Sequence, residues 1–135
     1  MNILDGKIVS ESILDAITEE ISQIRSDGKR IPRLDIILVG NDYGSEKYVS
    51  MKEKKAKEVG MNAVVHRLDN LVNTLDIVNL VDSLDKDPEV DGYMVQLPLP
   101  DQINTNLVLD AIDPKKDVDG LSPVNLGKLF QKDPS

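Results

Sequence analysis

The chain has 135 residues, 24 acidic and 16 basic, for a formal net charge of −8, with three Tyr, one Phe, one His and neither Trp nor Cys. That length suits one domain burying roughly two thirds of its unfolded surface, and the scarcity of aromatics leaves Ile, Leu and Val to build the core. The absence of cysteine excludes disulfides and thiolate metal sites and suits a reducing cytoplasm, the single histidine argues against Ser-His-Asp chemistry and multi-histidine metal sites, and the acidic balance argues against nucleic acid.

Between Ser10 and Asp27, the apolar residues Ile13, Leu14, Ile17, Ile21 and Ile24 recur with a 3.6-residue period that stops before Gly28. This predicts an amphipathic helix. After Pro32, Leu34 to Val39 reads as a buried strand closed by Gly40. Ser45 to Val59 reads as a second helix, with Ser45 as its N-cap and Gly60 at its C-terminal end. Met61 to Leu68 is the second strand, and it carries His66 as a surface or half-buried residue. Thr74 to Leu84 is a third helix, capped by Asn73 or Thr74 and stopped by Asp87-Pro88. The third strand is Asp91 to Gln96, and a fourth helix lies near Asn104 to Ile112, before Pro114. Leu126, Leu129 and Phe130 open a further helical pattern that breaks at Lys132-Asp133-Pro134-Ser135, as in a domain cut from something longer.

Strands alternating with helices imply βαβ units around a parallel sheet, an α/β fold of three layers (α/β/α). No apolar run approaches the ~20 residues of a membrane span. The start, Met1-Asn2-Ile3-Leu4-Asp5, lacks the basic region and apolar core of a signal peptide. A soluble cytoplasmic protein is the expectation.

Three places carry chemistry. In Asp91-Gly92-Tyr93-Met94-Val95-Gln96-Leu97-Pro98-Leu99-Pro100 a buried strand stops at an amide and two prolines. Ligands of open α/β sheets bind at the carboxyl ends of the strands, so Gln96 sits where a side chain meets a substrate, on a loop stiffened by Pro98 and Pro100. One of the X-Pro bonds is a candidate for the cis form. In the second helix, Tyr48 and Lys52 lie one turn apart on one face, offering a stacking surface, hydrogen-bond donors and an acid–base group. For either residue alone, a lysine-rich solvated helix with Tyr48 packed on the core is the blander alternative. Asp117-Val118-Asp119-Gly120 would be an acidic turn, or would present Asp119 as a carboxylate that accepts paired hydrogen bonds from an amino-heterocycle. An EF-hand is excluded, because its first and twelfth ligands would fall on Lys115 and Leu126. No phosphate loop is present: Gly40 to Ser45 lacks the G-x-x-x-x-G-K spacing, and there is no G-x-G-x-x-G.

Taken in order, these residues resemble the bifunctional methylenetetrahydrofolate dehydrogenase/methenyltetrahydrofolate cyclohydrolase family. The match runs through Leu4-Asp5-Gly6-Lys7, Val39-Gly40, Ser45-x-x-Tyr48-Val49-x-x-Lys52-x-Lys54, Asp91-Gly92, Gln96 to Pro100, Lys116 to Gly120 and Asn125-x-Gly127-x-Leu129. Two departures stand out: Tyr43-Gly44 where Pro-Ala is common, and Leu121-Ser122 where Phe-His is frequent. Neither touches the expected catalytic groups.

The resemblance implies that residues 1–135 form the amino-terminal folate-binding catalytic domain of an enzyme of one-carbon metabolism. An NADP-binding Rossmann domain would follow it, outside this chain. The substrates would be tetrahydrofolate derivatives: 5,10-methylenetetrahydrofolate oxidised with NADP to the methenyl form, then hydrolysed to 10-formyltetrahydrofolate. Lys52 would be the central catalytic amine, taking a proton from the attacking water, which a lysine does only in its neutral form. Gln96 would orient that amine, and Tyr48 would stack along the folate. Asp119 would hold the pterin by paired hydrogen bonds, with Leu97 and Pro98 lining the substrate. Lys54 or Lys55 is a guess for attracting the glutamate carboxylates of the folate. No metal is implied. The parent enzyme would be a homodimer and this fragment a monomer, unable to perform the dehydrogenase step alone. Against this stand a folate-binding domain without turnover of its own and a phosphoacceptor receiver domain. The receiver reading is poor, because Val39-Gly40 and Gln96 stand where it needs aspartates.

Overall fold

The computed structural model describes residues 5–132; the readings that fall on Met1 to Leu4 and on Asp133 to Ser135 lie outside them. The elements in chain order are α1 (Gly6–Ser26), β1 (Arg33–Val39), α2 (Tyr43–Glu58), β2 (Asn62–Leu68), α3 (Thr74–Lys86), β3 (Gly92–Val95), α4 (Thr105–Asp110) and α5 (Pro123–Gln131). All four expected helices and all three strands are present, with ends moved by the capping chemistry. Helix α1 starts four residues early because the Asp5 carboxylate accepts a hydrogen bond from the Lys7 N–H. Helix α2 is capped by Asp42 rather than Ser45: the Asp42 carboxylate accepts from the Ser45 N–H at 2.7 Å, which makes Tyr43 and Gly44 helical. Asn73 caps α3 in a reciprocal box with Asp76. The late apolar pattern is α5, entered at Pro123 behind the Ser122 cap, the position where a missing N–H costs least.

The three strands form one parallel sheet in the order β2-β1-β3, with Ile36 of β1 opposite Val65 of β2 and Met94 of β3. The chain leaves β1 toward one side through α2 and returns past it to the other side through α3. Right-handed crossovers therefore put the two helices on opposite faces. The strand order reverses between β1 and β3, and the crevice at their carboxyl ends is where such sheets take ligands.

One face is well covered. Ile37, Val39, Tyr93 and Val95 from the sheet pack with Ile77, Val81 and Leu84 of α3, Val108 of α4, and Leu99, Ile103 and Ile112. The other face is thin: Ile36, Leu38 and Met94 pack with Val49 of α2, flanked by Leu34 and Val65. Helix α1 lies over the far end of α2, where Ile21 is buried and Arg25 donates to the Gly60 carbonyl. Both faces are dressed by helices, so the fold is the expected three-layer α/β arrangement. Among the described residues, no helix is long and apolar enough to cross a membrane.

Polar residues fasten the amino-terminal end of the sheet. Arg30 grips the Asp91 carboxylate with two bonds of 2.7 Å, and the same carboxylate accepts from the Arg33 N–H. Asp35, wholly buried on β1, accepts from Arg33 Nε and Nη2 at 2.8 and 2.7 Å and lies 2.6 Å from His66 Nε2. His66 is thus the half-buried strand residue expected, with a partner that the sequence did not announce.

Candidate active site

Helix α2 begins at the carboxyl edge of the sheet and presents Tyr48 and Lys52 from successive turns. Gln96 follows the end of strand β3 beneath them. Residues two apart in a strand share a face, so Met94 and Gln96 both point at α2. The Lys52 ammonium meets them there: Nζ lies 3.2 Å from Gln96 Oε1 and 3.3 Å from Met94 Sδ. The orientation of the amide follows from its other end, where Gln96 Nε2 donates to the Leu97 carbonyl at 2.7 Å and leaves Oε1 for the lysine. The Leu97–Pro98 bond is cis. Leu97 leans on the core, whereas Pro98 is exposed at the rim.

Tyr48 is 61% exposed and makes no hydrogen bond, so it is not packed on the core and its ring is open to a ligand. Lys54 and Lys55 both lie near Glu58 of the same helix, at 3.8 and 2.7 Å, and both remain exposed.

The run Lys116 to Gly120 divides its work residue by residue. Lys116 Nζ donates to the Leu84 and Asp87 carbonyls, closing the end of α3. Asp117 pairs in a parallel bridge with Tyr93, and its carboxylate accepts from the N–H groups of Leu121 and Ser122 and from Asn125 Nδ2. Val118 lies against Gly92. Asp119 is exposed and makes no hydrogen bond or ion pair, so its carboxylate is the one available to a ligand. The structure therefore joins Lys52 with Gln96 in direct contact, with Tyr48 one turn away. It presents Asp119 on the loop beside β3, without a contact to those three. Sequence reasoning missed Met94, although its alternation with Gln96 was a usable signal. It singled out Asp119 of the two aspartates but did not foresee the bonds that occupy Asp117.

Desolvation raises the Asp117 carboxyl, but the hydrogen bonds from Ser122, Asn125 and Leu121 outweigh it and hold the group below the ordinary aspartate range. A lowered folded-state value means stability that is complete above the unfolded value, about 3.9, and is lost as pH falls through the folded one. The urea midpoint should therefore drop on acidification below about pH 4, and Asp117→Asn should flatten part of that slope. An unchanged slope would show that these bonds do not tie the loop in solution.

A nicotinamide dinucleotide needs a phosphate cradle, and the residues present do not make one. The N-terminus of α2, the one helix start that follows a strand end at this edge with a glycine-bearing turn, is already occupied by the Asp42 carboxylate, a negative charge where a phosphate would sit. Hydrogen bonds from Ser45 and Gly44 hold the Asp42 carboxyl below its usual range.

A parallel sheet with a lysine–amide pair and an open tyrosine at its switch point, and an unpaired carboxylate on the loop beside β3, is an α/β domain with its ligand-facing groups at one sheet edge. The family model for tetrahydrofolate dehydrogenase/cyclohydrolase, catalytic domain, matches residues 4–119, and the chain belongs to that family. A "Bifunctional protein FolD" from Christiangramia forsetii is 44% identical over 129 residues, covering 96% of this chain and 43% of that protein. Among solved structures, the bifunctional methylenetetrahydrofolate dehydrogenase/cyclohydrolase of Campylobacter jejuni superposes with a TM-score of 0.93 at 37% identity, covering all of this chain and 48% of its own. The Trypanosoma brucei methylenetetrahydrofolate dehydrogenase-cyclohydrolase, complexed with NADP and an inhibitor, gives 0.89 at 32% identity over 99% of this chain and 46% of that one. The chain thus spans a little under half the length of these relatives.

Proposed function

We propose that this chain is the folate-handling catalytic domain of a bifunctional enzyme of one-carbon metabolism, and that its own residues carry the cyclohydrolase step. The observation that supports this reading most is the Lys52–Gln96 contact, in which the amide is anchored on Leu97 so that only its oxygen faces the amine. An amine abstracts a proton only when neutral. Here both acceptors of Nζ, the amide oxygen and the thioether, are themselves neutral, and no carboxylate of the described residues pairs with it.

In this mechanism water attacks the carbon that bridges the two folate nitrogens, and Lys52 takes a proton from it. The resulting hydroxylated carbon then releases N5: the C–N5 bond breaks, N5 takes a proton from the Lys52 ammonium, and the hydroxyl proton leaves to solvent as the formyl group forms on N10. Tyr48 stacks along the substrate, Leu97 and Pro98 border it, and Asp119 accepts paired hydrogen bonds from the pterin amino and ring N–H groups. On this reading NADP, which the dehydrogenase step consumes, is bound by residues beyond these 135. The parent enzyme is a soluble cytoplasmic homodimer, and this chain alone is a monomer.

The test is the decay of methenyltetrahydrofolate absorbance in a buffer that catalyses it poorly, alongside calorimetric titration with tetrahydrofolate. Decay that accelerates in proportion to added chain is the expected result. Binding without acceleration would assign the chain to folate capture alone, as half of a site completed elsewhere. Neither binding nor acceleration would overturn the reading.

A further inference from the structure

Asp119 makes no internal bond, so its position depends on what anchors the residues on either side. The Asp117 carboxylate ties the residues after it, and three contacts hold the residues before it. The Tyr93 N–H donates to the Lys116 carbonyl at 2.9 Å, the Val118 N–H donates to the Tyr93 carbonyl at 3.3 Å, and the Val118 side chain lies over Gly92. A Cβ added to Gly92 would stand 2.5 Å from Val118 Cγ1 and 3.4 Å from the Lys116 carbonyl oxygen. Gly92 is buried and its φ lies outside the left-handed region. Its lack of a side chain therefore meets a need for room rather than for an unusual backbone. Val118 is branched at Cβ and stiff at χ1, so relieving that contact means leaving its present rotamer or shifting the loop.

We propose that Gly92 is a positioning residue of the folate site: the bare backbone at the start of β3 forms a seat whose clearance lets the Val118 N–H reach the Tyr93 carbonyl, and that bond fixes the loop that presents Asp119. The proposal rests on the reading of Asp119 as a folate ligand and adds a residue that touches neither substrate nor Asp119 itself. A loop displaced by an ångström would spoil the paired geometry that a carboxylate–pterin contact requires, while Lys52, Gln96 and Met94 on the α2 side would stay in place.

The test is a cycle of variants read by the tetrahydrofolate dissociation constant. Gly92→Ala is expected to weaken binding about tenfold, and adding Val118→Ala, which vacates the seat, to restore it to within about threefold. The amide of Val118 should exchange with solvent about tenfold faster in Gly92→Ala and recover in the double variant. Val118→Phe, too large for the seat but placed at a half-exposed position, should weaken binding about as much as Gly92→Ala with β3 untouched. Normal binding by Val118→Phe would overturn the proposal even if Gly92→Ala failed to fold. So would a Gly92→Ala defect that Val118→Ala does not relieve. Asp119→Asn separates the two layers of the argument. If it weakens binding and Gly92→Ala does not, the seat is wrong and the ligand assignment stands. If Asp119→Asn binds normally, the assignment falls and the seat loses its function with it.

Discussion

Lys52→Ala is expected to return methenyltetrahydrofolate decay to within reach of the buffer rate, a loss of ~10²- to 10⁴-fold in the rate attributable to the chain. The reasoning is local. Nζ has two neutral acceptors, and the variant leaves both in place, with Gln96 still anchored on the Leu97 carbonyl. The backbone of α2 is unaffected, because alanine favours helix at least as well as lysine. Tetrahydrofolate binding should change much less than turnover, since Tyr48 and Asp119 remain. Gln96→Glu supplies the complementary test. It keeps the size of the side chain but sets a carboxylate against the amine, and a charge-assisted bond there favours the charged lysine. Turnover near neutral pH should fall nearly as far, with binding again spared. Equal turnover by the parent chain and Lys52→Ala would remove Lys52 from the mechanism.

The second large effect is on stability. Asp35 is wholly buried, and three hydrogen-bond donors from Arg33 and His66 converge on its carboxylate. Asp35→Ala would leave the guanidinium and the imidazole, both mostly covered, without their common partner. Breaking one member of a buried charged cluster costs about 3–5 kcal/mol, a large part of the ~5–15 kcal/mol that holds a domain of this size together. Urea unfolding should show the midpoint displaced by that amount with its slope retained. Replacing the three together, with Asp35→Leu, Arg33→Met and His66→Leu, should recover most of the loss, because apolar groups of similar volume carry no desolvation cost. A loss below about 1 kcal/mol for Asp35→Ala would mean that water reaches the cluster.

Much of this architecture was legible in the residues, because it is written in periodicity. The alternation of strands and helices gave the parallel sheet, and the abrupt end of an apolar run at Gln96 marked the carboxyl edge of β3. Lys52 and Gln96 were paired through the family resemblance, and the 3.2 Å contact is the physical form of that pairing. What escaped was whatever depends on choosing between equivalent residues. Asp42 and Ser45 are both good caps three positions apart, and only the backbone decides between them. Asp119 was preferred to Asp117 through the family resemblance, but the bonds that consume Asp117 at Leu121, Ser122 and Asn125 could not be read from residues so alike. The early start of α1 was hidden because the Asp5 cap sets it, whereas the reading followed the apolar period, from which Ile8 departs. The partners of His66 were unreadable, since they join residues 31 positions apart.

The unequal cores on the two faces of the sheet bear on how the site moves. Twelve buried side chains knit α3 and α4 to one face, while four stand between the sheet and α2 on the other. Regions with few buried apolar contacts open at lower free energy than the rest of the molecule. The helix that carries Tyr48 and Lys52 therefore opens at lower free energy than the face covered by α3 and α4, and the Lys52–Gln96 contact joins the more yielding layer to the firmer one.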